Sequence, residues 1–129
     1  MQLNNPFLES QSIELIHWAQ GEAEFRMLIK PQHLNRQGML HGGLIATLLD
    51  AACGYAGLHS DKDKGEEEMH GVTVTLNISY ISAAHAGAVI ARGKVSRNGQ
   101  SIYFVQGTLV SDQGELLATA QGAFKRKRV

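Results

Sequence analysis

The sequence predicts an α+β fold in which one long central helix is wrapped by a curved antiparallel sheet of five to six strands. Two segments, at 22–30 and 72–80, alternate apolar and polar residues with the period of two that is typical of half-buried strands, and four further segments are β-type runs. One segment, from residue 43 to about residue 58, instead repeats its apolar residues at helical spacing. Because a single apolar helix must bury its surface against something, we expect the sheet to curl around it.

Two strands precede the helix, a short one around residues 13–18 and a clearer one at 22–30, where only Leu28 interrupts the polar face. A polar loop at 59–68 follows the helix. Four further strands are predicted at 72–80, 88–96, 101–111 and 115–125, and the short turns at 97–100 and 112–114 indicate hairpins. Tyr80 ends the apolar face of its strand, so we expect it in the core.

Composition limits the possible functions. The 129 residues suit one domain, and the balance of 12 Lys+Arg against 12 Asp+Glu argues against a dedicated nucleic-acid-binding protein. The single cysteine, Cys53, excludes an internal disulfide and a CxxC metal site, and in an apolar helix it is expected to be a core residue. The six histidines show no metal-ligand spacing, so no metal is expected.

A cytoplasmic location is the simplest expectation. The best apolar stretch, residues 44–58, contains Asp50 and is shorter than the roughly 20 residues that a membrane span requires. The first ten residues have neither a basic region nor an uninterrupted apolar core, so they do not resemble a signal peptide. We therefore expect no membrane partner.

The predicted helix has an unusual second face. At 100° per residue, Asp50 shares its side of the helix with small residues: Gly43, Ala46, Thr47, Gly54 and Gly57. Small residues let another helix, a sheet or a ligand approach closely, and an acid in such a place is costly unless it is paired or used. Two interpretations stay open: Asp50 is functional, or it merely accepts a local hydrogen bond.

The start of the helix offers a second candidate. Gly42 and Gly43 leave backbone N–H groups uncovered at the positive end of the helix dipole, which suits an oxyanion or a polarised carbonyl. Gly42 and Asp50 are eight residues apart, about 12 Å along a helix, so one helix cannot bring both to one carbon. The sequence therefore predicts either no site, or two sites shared across a homodimer whose helices run antiparallel.

The segment NRQGMLHGGLIATLLD at residues 35–50 resembles the signature of the hotdog-fold acyl-CoA thioesterases. These belong to the 4-hydroxybenzoyl-CoA thioesterase superfamily, and the resemblance is greatest to the branch that contains the phenylacetate-pathway thioesterase. The segments GVTVTLNISY at 71–80 and RNGQS at 97–101 extend it along the chain. It implies a single hotdog domain over residues 1–129 with a core at about 12–126.

The resemblance also implies a mechanism. The Gly42 N–H, with Asn35, would polarise a thioester carbonyl, and Asp50 of the other subunit would be the general base or the nucleophile. Thr73 would help to position the water, while the substrate would be bound through the remaining motif positions, His41, Gly43 and Arg97. The substrate would bring coenzyme A with it and no separate cofactor is expected. The expected assembly is a homodimer, or a tetramer built as a dimer of dimers.

Two alternatives remain at this point. The same fold serves enoyl- or hydroxyacyl-thioester hydratases, which generally place a histidine and an acid together, whereas here the acid lies within the helix after the His-Gly-Gly motif. A non-catalytic acyl-CoA-binding module is the other alternative, and the presence of Asn35, Gly42 and Asp50 argues against it. The sequence leaves the acyl group open, and also the choice between base and nucleophile.

Overall fold

The computed structural model describes residues 3–129 and consists of one six-stranded antiparallel sheet around a central helix. The strands lie in the order β1-β2-β4-β5-β6-β3, so β1 and β3 form the two edges. The helices are α1 (Pro6–Ser10) and α2 (Gly42–Ala56), and the strands are β1 (Glu14–Ala19), β2 (Glu22–Leu28), β3 (Met69–Tyr80), β4 (Ala88–Asn98), β5 (Ile102–Ser111) and β6 (Leu116–Arg128). The predicted α+β arrangement is confirmed.

Helix α2 is the centre of the hydrophobic core. Its buried face includes Ile45, Leu48, Leu49 and Ala52, which repeat at the three- and four-residue spacing of a helix surface. This face packs mainly against β2, β4 and β5, and the largest buried side chains there are Phe25, Met27 and Tyr103. The helix begins and ends within two residues of its predicted bounds because its periodicity and its flanking glycines are both clear signals.

Two paired glycines bring the sheet unusually close to α2. Gly93 of β4 lies opposite Gly107 of β5, and a Cβ atom at Gly93 would overlap the Ala52 carbonyl. A Cβ at Gly107 would lie 2.6 Å from Cys53 Sγ. Any side chain at either position would therefore push the helix away from the middle of the sheet.

The edge strand β3 departs most from its sequence-based prediction. Nearly all of its residues are exposed, including Val72, Val74 and Tyr80, so the expectation that Tyr80 is a core residue was wrong. The strand pairs only with β6, because it is the last strand of the sheet. Its apolar alternation therefore marks a surface that this single chain leaves uncovered.

Helix α1 was not predicted. It begins after Asn5, whose side chain accepts a hydrogen bond from Leu8 N–H, and Pro6 occupies the first helical position where a missing N–H costs nothing. Five residues are too few to show a helical period, which explains why periodicity did not detect it. Among the described residues, no helix combines the length and the apolar character needed to cross a membrane.

Candidate active site

Asp50 and Thr73 are brought together by the packing of β3 against α2. Thr73 Oγ1 donates a hydrogen bond of 2.7 Å to Asp50 Oδ1, although the two residues are 23 positions apart in the chain. Asp50 is half-buried, and within residues 3–129 its carboxylate has no ion-pair partner. A neutral hydroxyl therefore holds one carboxylate oxygen in place without neutralising the charge.

A β-bulge turns Thr73 toward the helix. Thr73 pairs with Phe124 of β6, but the next paired residue, Thr75, is opposite Ala123, so Val74 is an extra residue in β3. Side chains alternate between the two faces along a strand, so one extra residue shifts this alternation by one position. Odd-numbered residues before the bulge therefore face the same side as even-numbered residues after it. Thr73 consequently faces Asp50 on α2 from one side of the bulge, while Leu76 and Ile78 pack against the core on the other.

The Asp50 carboxylate faces a cavity of about 260 Å³, which is also lined by Thr47, Thr73, Tyr55 and Phe7. A structural acid that only accepts a hydrogen bond needs no such space beside it. The hydrogen bond from Thr73 agrees with the interpretation in which Asp50 merely accepts a local hydrogen bond. The adjoining cavity, in contrast, is the feature expected of a binding site, and it favours the functional interpretation.

The Asp50 charge also affects Cys53, one helical turn away. Burial, and to a lesser extent the Asp50 carboxylate, raises the pKa of the Cys53 thiol to about 12. The side chain is fully buried in the core. A thiol in this environment stays protonated and unreactive, as expected for a core cysteine.

The first turn of α2 forms the second part of the candidate site. His41 caps the helix, and its Nδ1 accepts a hydrogen bond of 2.9 Å from Gly43 N–H. The N–H groups of Leu44 and Ile45 are bound to the His41 carbonyl. Within the part of the chain that the structure describes, Gly42 N–H has no acceptor, so it is the donor of this turn that is free to bind a ligand.

Asn35 lies in the tight turn that leads to this helix. Its Oδ1 accepts hydrogen bonds from the N–H groups of Gln37 and Met39, and Leu34 forms an isolated bridge with Leu40. Gly38 adopts a φ of +76° in the turn, which favours glycine. The turn uses the Asn35 oxygen, and the Nδ2 group makes no hydrogen bond within residues 3–129.

The contact between Tyr80 and the start of α2 was not predicted from the sequence. Tyr80 Oη donates a hydrogen bond of 3.1 Å to the Gly42 carbonyl, and the ring lies where it would touch a Cβ at Gly42. The side chain is nevertheless more than half exposed. No motif marks this role, because it depends on where the end of β3 lies relative to the start of α2.

Arg97 is not brought close to Gly42 within one chain. It lies exposed near the end of β4, in the hairpin to β5. Arg126 binds this hairpin through the Gly99 carbonyl and the Asn98 side chain, and its Nε donates to the Gly57 carbonyl. The hairpin is therefore fixed at the C-terminal end of α2, opposite to the end that carries Gly42.

The row of small residues on α2 has two explanations. Gly54 and Gly57 make room for rings of the same chain, since Phe124 contacts the former and a Cβ at the latter would overlap Tyr103. Ala46 and Thr47 remain partly exposed on the same face. Gly54 also lines the cavity beside Asp50, so only Gly57 is fully taken up by packing within the chain.

Comparison with known families decides the class of protein. The thioesterase superfamily profile matches residues 37–118, which is more than half of the chain. The chain belongs to the thioesterase superfamily. The thioester hydrolase prediction and the hotdog fold are thus both confirmed.

Individual relatives agree with this assignment. The thioesterase is 32% identical over 108 residues to acyl-coenzyme A thioesterase 13 of Homo sapiens, an alignment that covers 82% of this chain and 74% of the relative. The PaaI protein from the phenylacetic acid degradation operon of Escherichia coli has the same fold, with a TM-score of 0.84, 23% identity and coverage of 96% and 86%. A Haemophilus influenzae thioesterase gives a TM-score of 0.85 with 20% identity and coverage of 97% and 85%.

Proposed function

We propose that this thioesterase hydrolyses acyl-CoA at sites shared between two identical subunits. The proposal is carried by one observation: Asp50 with its Thr73 partner, and the free Gly42 N–H, lie eight residues apart on the same helix. That spacing is about 12 Å along α2, too far for both groups to act on one carbonyl. A second subunit with an antiparallel helix would place each group opposite its complement.

The two groups suit the chemistry of thioester hydrolysis. Gly42 N–H and Asn35 Nδ2 would donate hydrogen bonds to the carbonyl oxygen, where negative charge develops in the transition state. Asp50 of the other subunit would take a proton from the attacking water, or attack the carbonyl itself. The C–S bond then breaks and the thiolate leaves, and one water has been added to give an acid and a thiol.

The edge strand β3 supports a homodimer. Its outer edge presents unpaired backbone donors and acceptors, and Val72, Val74 and Tyr80 are between 44% and 57% exposed along it. An exposed apolar edge invites pairing with another strand. Antiparallel pairing of two β3 strands about a two-fold axis would cover these side chains and bring each Thr73 near the partner subunit. A tetramer would add a second interface between such dimers.

The choice of coenzyme A rests on the relatives and on charge. The human relative is named an acyl-coenzyme A thioesterase. Arg97 is an exposed cation in a hairpin, where it could bind a phosphate of the coenzyme. The reaction as proposed uses only groups of this chain and water, so the proposal includes no cofactor. We also propose a cytoplasmic location, where the single buried cysteine would stay reduced.

The direct test is release of free thiol from a panel of acyl-CoA substrates. Asp50→Asn keeps the size of the side chain but removes the negative charge, and we expect it to lower kcat by about a hundredfold to ten-thousandfold. Asp112→Asn in the exposed β5–β6 turn is the matched control and should leave kcat unchanged. Size-exclusion chromatography should give the same dimer for all three proteins.

Other outcomes would overturn the proposal. Binding of acyl-CoA without release of thiol would indicate a binding module. Consumption of an enoyl-CoA without free thiol would indicate a hydratase. Full activity in Asp50→Asn would remove the carboxylate from the mechanism.

A further inference from the structure

We propose that the cavity beside Asp50 is the acyl pocket, and that it selects uncharged, apolar acyl groups of limited length. The maximum length of the acyl group is set by the contacts between the N-terminal segment and α2. This inference rests on the proposed function, since it requires that the thioester carbonyl be held near Asp50.

The walls of the cavity are mainly apolar, with a smaller share of polar side chains. Phe7 and Leu8 of α1 form one side, and Tyr55, Leu58 and Phe124 form much of the rest. Such a lining suits a hydrocarbon or aryl group better than the polar arm of coenzyme A. Its volume of about 260 Å³ is at the small end for a ligand pocket, which limits the size of the acyl group that it can hold.

The charge of the cavity lining disfavours acyl groups that carry a negative charge of their own. Asp50 is the charged residue in the lining, and within residues 3–129 no lysine, arginine or histidine faces this space. An acyl group with a terminal carboxylate would therefore place a second negative charge near Asp50 with no cation to compensate.

The far end of the cavity is closed by contacts between α1, α2 and β3. Asn5 Nδ2 donates a hydrogen bond of 3.2 Å to Tyr55 Oη, which ties the start of α1 to α2. Leu58 packs on Gly71, where a Cβ would lie 3.1 Å from Leu58 Cδ1. We call these four residues, Asn5, Tyr55, Leu58 and Gly71, the barrier.

Beyond the barrier lies a second and larger cavity of about 880 Å³, and the barrier residues line both spaces. Three carboxylates, Asp61, Asp63 and Glu68, line this second cavity against one lysine, Lys62, so its net charge disfavours the phosphates of coenzyme A. An acyl chain longer than the first cavity would have to displace the barrier to enter the second. The barrier therefore determines the acyl-chain preference.

The wild-type protein already tests the charge argument. Butyryl-CoA and succinyl-CoA differ mainly in a terminal methyl group against a carboxylate. We expect kcat/KM to be at least about tenfold higher for butyryl-CoA, because no group in the pocket compensates the extra charge. Equal values for the two substrates would overturn the apolar-pocket assignment.

The barrier is tested by substitution. Leu58→Ala opens the connection between the two cavities, and we expect the ratio of kcat/KM for palmitoyl-CoA to that for octanoyl-CoA to rise about tenfold. Leu28→Ala is the matched control, since this exposed leucine on β2 lines neither cavity and should leave the ratio unchanged. An unchanged ratio in Leu58→Ala would show that the barrier does not limit the chain.

A second variant covers the case in which Leu58→Ala fails to fold. Tyr55→Phe removes only the hydroxyl that accepts the Asn5 hydrogen bond, so the palmitoyl-to-octanoyl ratio of kcat/KM should rise by a smaller factor.

Failure of the proposed function looks different from failure of this inference. In the former case wild-type protein releases no thiol or Asp50→Asn remains active, whereas in the latter hydrolysis depends on Asp50 but the chain-length profile is the same in every variant.

Discussion

At the scale of single residues, the hydroxyl of Thr73 determines how Asp50 is oriented. Because Thr73 Oγ1 holds one carboxylate oxygen, Thr73→Val should leave the carboxylate free to rotate while keeping the shape of the side chain. We expect kcat to fall about tenfold to a hundredfold with little change in KM, which steady-state kinetics will measure. Thr73→Ser should restore most of the activity.

Thr75→Val on the same strand is the control for this effect, because Thr75 lies on the other side of the bulge. A Thr73→Val enzyme with unchanged kcat would mean that Asp50 needs no orienting group. An equal loss in Thr75→Val would point to a general effect on β3.

Cys53 illustrates the opposite case, a reactive residue type made inert by its surroundings. With a pKa raised to about 12 by burial and by Asp50, only about one thiol in ten thousand is ionised at pH 8. We expect a thiol-reactive disulfide dye to label the folded protein extremely slowly and the protein in denaturant at once. Rapid labelling of the folded protein would show that the thiol is accessible.

At the scale of the elements, the contact between α2 and the middle strands depends on Gly93 and Gly107. Gly93→Ala would push against the backbone of Ala52, which has nowhere to move, and we expect a loss of about 1–3 kcal/mol in the free energy of unfolding. Urea denaturation will measure it. Gly107→Ala meets a side-chain atom of Cys53 instead.

A new methyl group at Gly93 would meet backbone atoms, whereas one at Gly107 would meet a side-chain atom, and this difference supplies an internal control. Cys53→Ala should recover much of the stability lost in Gly107→Ala, because it removes the Sγ atom that the new methyl group meets. It should recover little in Gly93→Ala, where the obstacle is a carbonyl group. Equal recovery in both backgrounds would contradict the packing described for α2.

The elements themselves were largely predictable from periodicity. The six strands and α2 were found because their apolar residues repeat with periods of two and 3.6 over enough residues to be distinctive. The bulge at Val74 was not, since it depends on the pairing of β3 with β6. For that reason the contact of Thr73 with Asp50 could not be predicted from periodicity, and Thr73 was assigned to the site only through the family resemblance. Tyr80 was expected in the core and is exposed because it lies at the end of β3, over the start of α2.

Helix α1 marks another limit of sequence-based prediction. A single helical turn has no period, and its place against α2 arises from a hydrogen bond between Asn5 and Tyr55 that no local pattern announces. The apolar lining of the cavity was equally hidden, because it combines residues from α1, α2, β3 and β6. Sequence identified Asp50 and Gly42 as chemical groups, and the fold supplied the space beside Asp50.

At the scale of the whole molecule, one chain carries the two groups of the proposed site too far apart to act on one carbonyl. Gly42 N–H is free at one end of α2, and the Asp50–Thr73 pair lies in its middle beside the exposed edge strand β3. If hydrolysis needs both groups, only the dimer is active, and each site takes its carboxylate from one subunit and its N–H donor from the other.

Complementation between two inactive variants tests this claim most directly. One is Asp50→Asn, and the other is Gly42→Pro, which removes the N–H at the first helical position, where proline is tolerated. Each variant alone should release thiol at least about a hundredfold more slowly than the wild type. After the two are unfolded together in equal amounts and refolded, half of the dimers are hybrids with one intact site of two, so we predict about a quarter of wild-type activity. No recovery, with hybrid dimers present by mass spectrometry, would show that both groups act within one subunit and would contradict the shared site.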